Sequence, residues 1–277
     1  EAWHLKSFDA VSPVRQIKKH AGNMTCSVAL ENYRWQWLRR TETSEGNSES
    51  QTEQEFHALI KSLHDGGGSL GNNVLRTWLY CRDIDNNYGG LVRGRNNIFK
   101  QYGLTPESHY LASTGIEGQA ESPSRLILMD SLSLFGHRPE QLEYLQALDH
   151  LSPTHVYGVA FERGTRVIFG DRSHYYLSGT ASIDRHGQIV HPADIAGQTE
   201  RMVENIACLL NNHQARLSDL RQATVYLRDP ADMPIVSKTL SRLLPDELPL
   251  LTVRGSVCRP GWLVEMEGFA VNAHGGN

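Results

Sequence analysis

The chain has 277 residues, of which 39% are hydrophobic and 21% are charged, and its formal net charge is −4. These values are typical of a globular protein with a substantial core, and they exclude an overall basic field that would attract nucleic acid or an anionic membrane. No apolar run approaches the ~20 residues of a membrane-spanning helix. We therefore expect a cytoplasmic protein that binds neither nucleic acid nor membrane.

Cysteine and histidine usage predicts neither a disulfide framework nor a cofactor site. Cys26, Cys81, Cys208 and Cys258 are widely spaced and form no CxxC pair, which is typical of reduced thiols. The histidines form no HxH or HExxH motif, and no phosphate-binding glycine loop is present, so no metal or other cofactor is expected. The N-terminus, EAWHLKSFDA, lacks a signal-peptide pattern and an initial methionine, which indicates a natural start further upstream.

Helices are predicted where apolar residues recur at helical spacing, and strands where aromatic and β-branched residues cluster. The first part of the chain yields strands at 24–30, 33–38 and 74–81, a helix capped by Thr52 and Glu55, a helix at 88–102, and extended segments at 109–116 and 125–129. The second part yields strands at 156–162, 166–170, 175–183 and 220–227, helices opening at Asp194 and Asp229, and a final hairpin at 250–271.

The final hairpin has two unlike faces. Read as two strands around a two-residue turn, it has one apolar face, formed by Leu251, Val253, Val257, Val264, Met266 and Ala270. The other face carries Arg254, Cys258, Glu265 and Glu267, and the turn would set Arg254 opposite Glu267. If this polar face is solvated, the hairpin is an ordinary half-buried one. If another sheet covers it, these groups share a dry space, as in a catalytic site.

An internal repeat supplies a second sheet. Gln51-Thr52-Glu53 recurs as Gln198-Thr199-Glu200, a shift of 147 (198 − 51), and the strand from Thr77 resembles that from Ala223, a shift of 146 (223 − 77). The order and the near-constant shift indicate duplication. We predict an α+β protein of two β-α-β-α-β domains, each a mixed sheet with helices on one face, at 1–130 and 154–277 with a connector at 131–153.

The second half resembles the RidA/YjgF superfamily of small trimeric proteins. The resemblance covers most of 155–272 and is carried by Gln198-Thr199-Glu200, the strand at 223–229 and Val264-Glu265-Met266-Glu267-Gly268. In the first half, Arg76-Thr77-Trp78 and the STGIEG segment at 113–118 resemble the two-domain chorismatase branch of that superfamily. The resemblance implies either a homotrimer or a monomer whose two domains pair internally.

The same resemblance implies a function and two catalytic residues. Chorismatases release pyruvate from chorismate and form a dihydroxycyclohexadiene acid or a hydroxybenzoate, as hydrolases or lyases. Their glutamate on the final strand corresponds to Glu265, and the cysteine of the hydroxybenzoate-forming members corresponds to Cys258. A buried Glu265 would have a raised pKa and could protonate an enol ether, or a water attacking it. Cys258 would assist as a local acid or nucleophile; otherwise it is a packed residue.

A small carboxylate substrate would need cations and close backbone approach. A guanidinium binds a carboxylate through two hydrogen bonds, so arginines near the hairpin are the anchors expected. Gly179 would either admit a ligand close to the backbone or mark a strand kink. The predicted substrate-binding residues are Arg163, Arg254, Arg259, Tyr157, Gly179, Thr180 and Ala181.

Two other functions fit the same superfamily. One is a RidA-type enamine or imine deaminase, a hydrolase. The arginine that holds the substrate carboxylate in those enzymes falls near Leu251 here, which argues against that activity. The other is a non-catalytic module that binds a small molecule.

Overall fold

The computed structural model of the protein describes residues 14–20, 22–42 and 45–276. Within these residues, twelve strands form two six-stranded sheets. The strands of the first sheet are β1 (Val14–His20), β2 (Asn23–Leu30), β3 (Tyr33–Arg40), β4 (Val74–Cys81), β5 (Ala112–Glu117) and β6 (Ile127–Phe135). Those of the second are β7 (Leu142–Tyr144), β8 (Gly164–Ile168), β9 (Ser173–Ala181), β10 (Leu220–Leu227), β11 (Leu250–Arg254) and β12 (Val264–Asn272).

The helices are α1 (Ser48–Asp65), α2 (Leu70–Asn73), α3 (Ile84–Gln101), α4 (Ile195–Asn212) and α5 (Met233–Leu243). Asp194 caps α4 as predicted, and its side chain accepts a hydrogen bond from Gly197 N. The predicted cap of α1 is wrong. Asn47 caps that helix, and Thr52 lies one turn inside it, where its hydroxyl donates to Ser48 O at 2.7 Å.

The two halves repeat one topology. The first sheet has the order β1-β2-β3-β6-β4-β5 and the second the order β11-β10-β12-β9-β8-β7, so each strand of one has a counterpart in the other. In each sheet the two strands at one edge are parallel, β4 with β5 and β10 with β11. The remaining neighbouring strands are antiparallel. The predicted duplication and the predicted α+β class, with mixed sheets and helices, are confirmed.

The repeated glutamines do the same work in each half. Gln51 donates to Ser124 O and accepts from Leu126 N, which fixes the segment entering β6. Gln198 donates to Gly261 O and accepts from Leu263 N, which fixes the segment entering β12. The repeated glutamine is therefore a buried side chain. In each half, its amide forms the hydrogen bonds that backbone groups just before the last strand would otherwise lack.

The predicted hairpin at 250–271 is wrong. β10 lies between β11 and β12, parallel to the first and antiparallel to the second. Residues 255–263 form a crossing segment rather than a two-residue turn, and this segment contacts the first half. Ser256 donates to the Glu117 carboxylate at 2.6 Å, and Val257 bridges to Ile116.

The predicted strand at 156–162 is also wrong. Thr154–Tyr157 is a short 3-10 helix, and Gly158 continues from it at φ +86°, a left-handed conformation. β8 pairs with β7 and β9 instead. The division into domains at 130 and 154 remains a proposal; β6 continues to Phe135, and β7 already belongs to the second sheet.

The two sheets pack against each other, and each sheet has its own helices. One buried cluster joins α1 and α3 to the first sheet, and another joins α4 and α5 to the second. A third cluster lies between the sheets and includes Trp35 and Leu75 from the first and Val167 and Tyr176 from the second. Among the helices that the structure describes, none is long and apolar enough to cross a membrane.

Candidate active site

The side chains of β12 alternate between two environments. Val264 and Met266 are fully buried in the cluster with α4. Glu265 and Glu267 point the other way, toward the first sheet, and both are less than a tenth exposed. The predicted two-faced strand is therefore present, and the other half of the same chain covers its polar face.

A small cavity of about 30 Å³ opens beside Glu265. Residues from both halves line it: Tyr88 from α3; Val159, Phe161 and Arg163 before β8; Gly179, Ala181 and Ile183 from β9 and its end; Cys258, Arg259 and Trp262 from the crossing segment; and Glu265. Six of the residues predicted from the sequence, Glu265, Cys258, Arg163, Arg259, Gly179 and Ala181, therefore lie together.

Glu265 is held as a neutral acid at neutral pH. Burial and then the neighbouring charge of Glu267 raise the pKa of its carboxyl, Arg163 and Arg76 oppose the shift, and the resulting pKa is about 8. Taking a carboxylate out of water disfavours the charged form, and a like charge on the same strand face adds to this. A carboxylic acid with this pKa can donate a proton near pH 7.

Cys258 lies beside this acid as a protonated thiol. Burial and the nearby charge of Glu265 raise the pKa of the Cys258 thiol to about 12. A hydrogen bond from Tyr88 and the positive charges of Arg259 and Arg95 oppose this shift. Burial also raises the pKa of the Tyr88 hydroxyl well above its usual range. The nucleophile in cysteine chemistry is the thiolate. This environment therefore favours a hydrogen-bonding or proton-donating role for Cys258.

Arginines give the cavity a positive charge. Arg163 and Arg259 line it, with their guanidinium groups 5.2 Å from the ring centroids of Phe161 and Trp262 respectively. Arg95 lies behind them, 1% exposed, and its guanidinium is 6.0 Å from Phe161. Its Nε and Nη2 atoms are buried without a hydrogen-bond partner. With Glu265 neutral, these cations suit an anionic ligand.

Gly179 makes room for the acid itself. A Cβ at this position would lie 2.0 Å from Glu265 Oε1 and 3.0 Å from Thr114 Cγ2. The Gly179 N–H donates to Thr114 Oγ1 at 2.9 Å, so the backbone here is bonded across the two sheets. The missing side chain therefore serves the close packing of Glu265.

Two predicted residues, Arg254 and Thr180, do not line the cavity. Arg254 is exposed on β11, because this strand lies at the edge of the sheet and β10 separates it from β12. Thr180 points to the opposite side of β9 from Gly179 and Ala181, and its hydroxyl donates to Ser178 O. The side chain of Tyr157 lies outside the described residues.

The predicted pairing of Glu267 with Arg254 is wrong. Glu267 instead forms an ion pair with Arg76 of β4, and both side chains are less than a tenth exposed. The sequence offered no signal for this pair, because the two residues are 191 positions apart and meet only when the sheets pack.

Sequence reasoning also missed several lining residues. Tyr88 and Phe161 are aromatic residues without a motif, and Trp262 follows the predicted turn. Trp262 Nε1 donates to Ser182 O at 3.1 Å, which fixes the crossing segment that carries Cys258. Arg95 of α3 is buried as well.

The first half has no equivalent acid. Tyr80 of β4 pairs with Leu128, and its counterpart Tyr226 of β10 pairs with Glu265. Leu128 therefore occupies the position of the acid in the first sheet. In the described part of the chain, no group of three or more His, Cys, Asp or Glu side chains could hold a metal ion.

Comparison with known proteins identifies the family. The Endoribonuclease L-PSP family matches residues 166–272. The 3-aminoacrylate deaminase RutC of Acinetobacter baylyi is 31% identical over 96 residues, which are 34% of this chain and 76% of that protein. The chain belongs to the RidA/YjgF superfamily. The predicted resemblance to this superfamily is confirmed, and Glu265 lies in the RidA-like second half.

Two longer similarities cover both halves of this RidA-superfamily chain. The 3-hydroxybenzoate synthase of Streptomyces hygroscopicus is 24% identical over 242 residues, 79% of this chain and 69% of that protein. A chorismatase crystal structure at 1.08 Å resolution superposes with a TM-score of 0.76 at 22% identity, covering 93% of this chain and 80% of that one. The fold of two tandem RidA-like units is therefore that of chorismatase.

Proposed function

We propose that the protein is a chorismatase-like enzyme that cleaves the enol ether of chorismate, or of a similar small cyclic carboxylate, and releases pyruvate. The observation that carries this proposal is a protonated, buried Glu265 in a cavity lined by arginines from within one chain. The similarity to a 3-hydroxybenzoate synthase over both halves supports the same reaction class.

Glu265 would supply the proton that starts the reaction. Cleavage of an enol ether begins when a proton adds to its terminal carbon, which leaves a cation stabilised by the ether oxygen. Water then adds to the cationic carbon and gives up a proton to the Glu265 carboxylate, which forms a hemiketal. The bond between that carbon and the ether oxygen breaks, pyruvate leaves, and the oxygen takes the hemiketal proton and remains on the ring as a hydroxyl. A neutral carboxyl in a desolvated site is suited to the first step because its own ionisation is costly there.

The arginines would hold the substrate carboxylates. Arg163 and Arg259 lie on the cavity wall, and the buried Arg95 has two nitrogen atoms without a hydrogen-bond partner. A carboxylate is a bidentate partner for a guanidinium and would offset its positive charge. Tyr88 and Cys258, which are hydrogen-bonded to each other, would then face the ring close to Glu265.

Pyruvate release from chorismate tests the proposal directly. The purified protein is incubated with chorismate, and pyruvate is followed with lactate dehydrogenase. We expect pyruvate well above the level of a Glu265→Gln sample, with a ring product that chromatography assigns as a dihydroxycyclohexadiene acid or a hydroxybenzoate. Pyruvate at the same rate with both proteins, or with neither, contradicts the proposal.

The rate of pyruvate release should fall at alkaline pH. The acid form of Glu265 is the active one, and its pKa is about 8. Activity should therefore be constant below this value and fall about tenfold per pH unit above it, as measured by kcat/KM between pH 6 and 10. A rate that instead rises through pH 8 would identify Glu265 as a base.

A RidA-type imine or enamine deaminase is the second candidate, supported by the 31% identity to RutC. The carboxylate-binding arginine of such enzymes falls near Leu251 here, and the nearby Arg254 of β11 is exposed, which argues against this function. Ammonia release from a system that generates 2-aminoacrylate would favour this function. Ligand binding without turnover of either substrate would favour a binding module.

A further inference from the structure

The second carboxylate of β12 is held mainly by the first half of the chain, with a further hydrogen bond from Tyr226 of β10. Glu267 accepts hydrogen bonds from Arg76, from Thr114 Oγ1 at 2.6 Å and from Trp78 Nε1 at 3.0 Å. The three donors lie on β4 and β5. Glu267 is 7% exposed and Arg76 is 3% exposed, so this is a buried ion pair across the sheet interface.

Arg76 is oriented toward Glu267 by its other contacts. Its Nη1 donates to Leu177 O, and its Nη2 donates to Thr114 Oγ1 at 2.6 Å as well as to Glu267. The Thr114 hydroxyl also accepts from Gly179 N, next to Glu265. The guanidinium is therefore fixed in place by backbone and hydroxyl groups.

This arrangement decides which carboxyl of β12 is charged. Glu265 and Glu267 are two residues apart on the same face, and a buried space disfavours two negative charges. The fixed Arg76 compensates Glu267. Glu265 keeps a negative neighbour and is left without a dedicated cation of this kind. We propose that Glu267, held by Arg76, Trp78 and Thr114, is a positioning residue that keeps Glu265 in its acid form.

Other charged and titratable groups surround Glu265, and the proposal accounts for them. They are Arg76 on β4, Tyr88 and Arg95 on α3, Arg163 before β8, Tyr226 on β10, Cys258 and Arg259 on the crossing segment, and Glu267 on β12. The arginines favour the anionic form of Glu265. Burial raises the pKa values of Tyr88, Tyr226 and Cys258, so these three groups are neutral near pH 7. Glu267 is thus the negative charge in this set.

The inference rests on the proposed role of Glu265 as the acid, but its test does not require activity. Protein labelled with ¹³C at the glutamate carboxyls is titrated by NMR, and the Glu265 signal is assigned by its loss in Glu265→Gln. We expect a midpoint near pH 8 in the unmodified protein. In Glu267→Gln the midpoint should fall by at least one pH unit, a tenfold loss of proton affinity, because Arg76 is left uncompensated beside Glu265.

Two further variants separate charge from structure. Glu267→Asp keeps the charge and should hold the Glu265 midpoint within about half a pH unit of the unmodified value. The double variant Arg76→Gln/Glu267→Gln removes both charges and so leaves no unpaired buried ion. Its Glu265 titration midpoint should lie between those of the unmodified protein and Glu267→Gln. Glu267 raises the pKa of Glu265 more than Arg76 lowers it, so a net decrease remains.

The outcomes distinguish this inference from the proposed function. An unchanged midpoint in Glu267→Gln overturns the inference, as does a midpoint in the double variant at or above that of the unmodified protein. If pyruvate is released, the pH at which its rate declines should shift by the same amount as the NMR midpoint. If no variant releases pyruvate while the midpoints shift as expected, the proposed function fails and the role of Glu267 stands.

Discussion

Glu265→Gln should reduce pyruvate release from chorismate by about 1,000-fold or more. The amide has nearly the shape of the carboxyl but has no proton of suitable acidity, and a positioned general acid contributes about 10²–10⁴-fold to a rate. Substrate affinity should change little, because the cationic groups Arg163 and Arg259 remain. Steady-state kinetics should therefore show the loss in kcat. A rate within tenfold of the unmodified enzyme would remove Glu265 from the mechanism.

The same substitution should stabilise the fold at alkaline pH. The pKa of Glu265 is raised from an ordinary value of 4.5 to about 8, so the folded protein retains a proton that the unfolded chain releases. The stability of the unmodified protein therefore falls as the pH rises through this window, by an amount on the order of 5 kcal/mol. Glutamine never ionises. The variant should match the unmodified protein near pH 5 and exceed it at pH 9 in chemical denaturation.

Glu247→Gln is the matched control for this experiment. Glu247 is solvent-exposed and lies in the loop before β11, away from the cavity. The same change of chemistry there should alter neither activity nor the pH dependence of stability. A Glu265→Gln protein that is less stable than the control at pH 9 would contradict a buried, reluctantly ionised carboxyl.

Gly179→Ala should lower kcat by about 100-fold and leave the protein folded. The added Cβ would lie 2.0 Å from Glu265 Oε1 and 2.8 Å from its Cδ, so the carboxyl must rotate away from its position. The end of a side chain can move without unfolding the sheet, but a small misplacement of a catalytic group costs on the order of 100-fold in rate. Kinetics and a crystal structure of the variant would measure both effects.

Gly170→Ala controls for the loss of a strand-end glycine. A Cβ at Gly170 would meet nothing within 4 Å, and the rate should be unchanged. Combining Gly179→Ala with Glu265→Gln provides a second check, because a displaced acid and an absent acid act through the same step. The double variant should be no slower than Glu265→Gln alone. A full additional 100-fold loss would mean that Gly179 acts on the substrate instead.

The sequence pattern was informative where residues that are close together in the chain decide the structure. The alternation around Glu265 identified the buried and polar faces of β12, because side-chain direction in a strand follows from sequence position alone. The repeat of Gln51 and Gln198 identified two copies of one fold, since the same buried amide fixes the same segment in each. The seven-residue spacing from Cys258 to Glu265 placed both groups at one cavity.

Strand order was not accessible in this way. β11 and β12 are consecutive in sequence, and a turn at Pro260-Gly261 is compatible with local propensity. They are separated in the sheet because β10 pairs with both, and because the crossing segment is bound by Glu117 of the first half. These contacts are between residues far apart in the chain. The exposed position of Arg254 follows from this order.

The sequence by itself determined the two-copy α+β fold and the face of β12 that carries Glu265, because periodicity and internal repetition are properties of the chain. The choice of Glu265 and Cys258 as candidate site residues came from the resemblance to the chorismatase branch. Only the tertiary structure decided which groups surround that acid. Arg76 meets Glu267, and Tyr88 meets Cys258, when the two sheets and α3 come together. The raised pKa of Glu265 depends on the burial and charges created by this packing, and no local pattern encodes distances between the two halves.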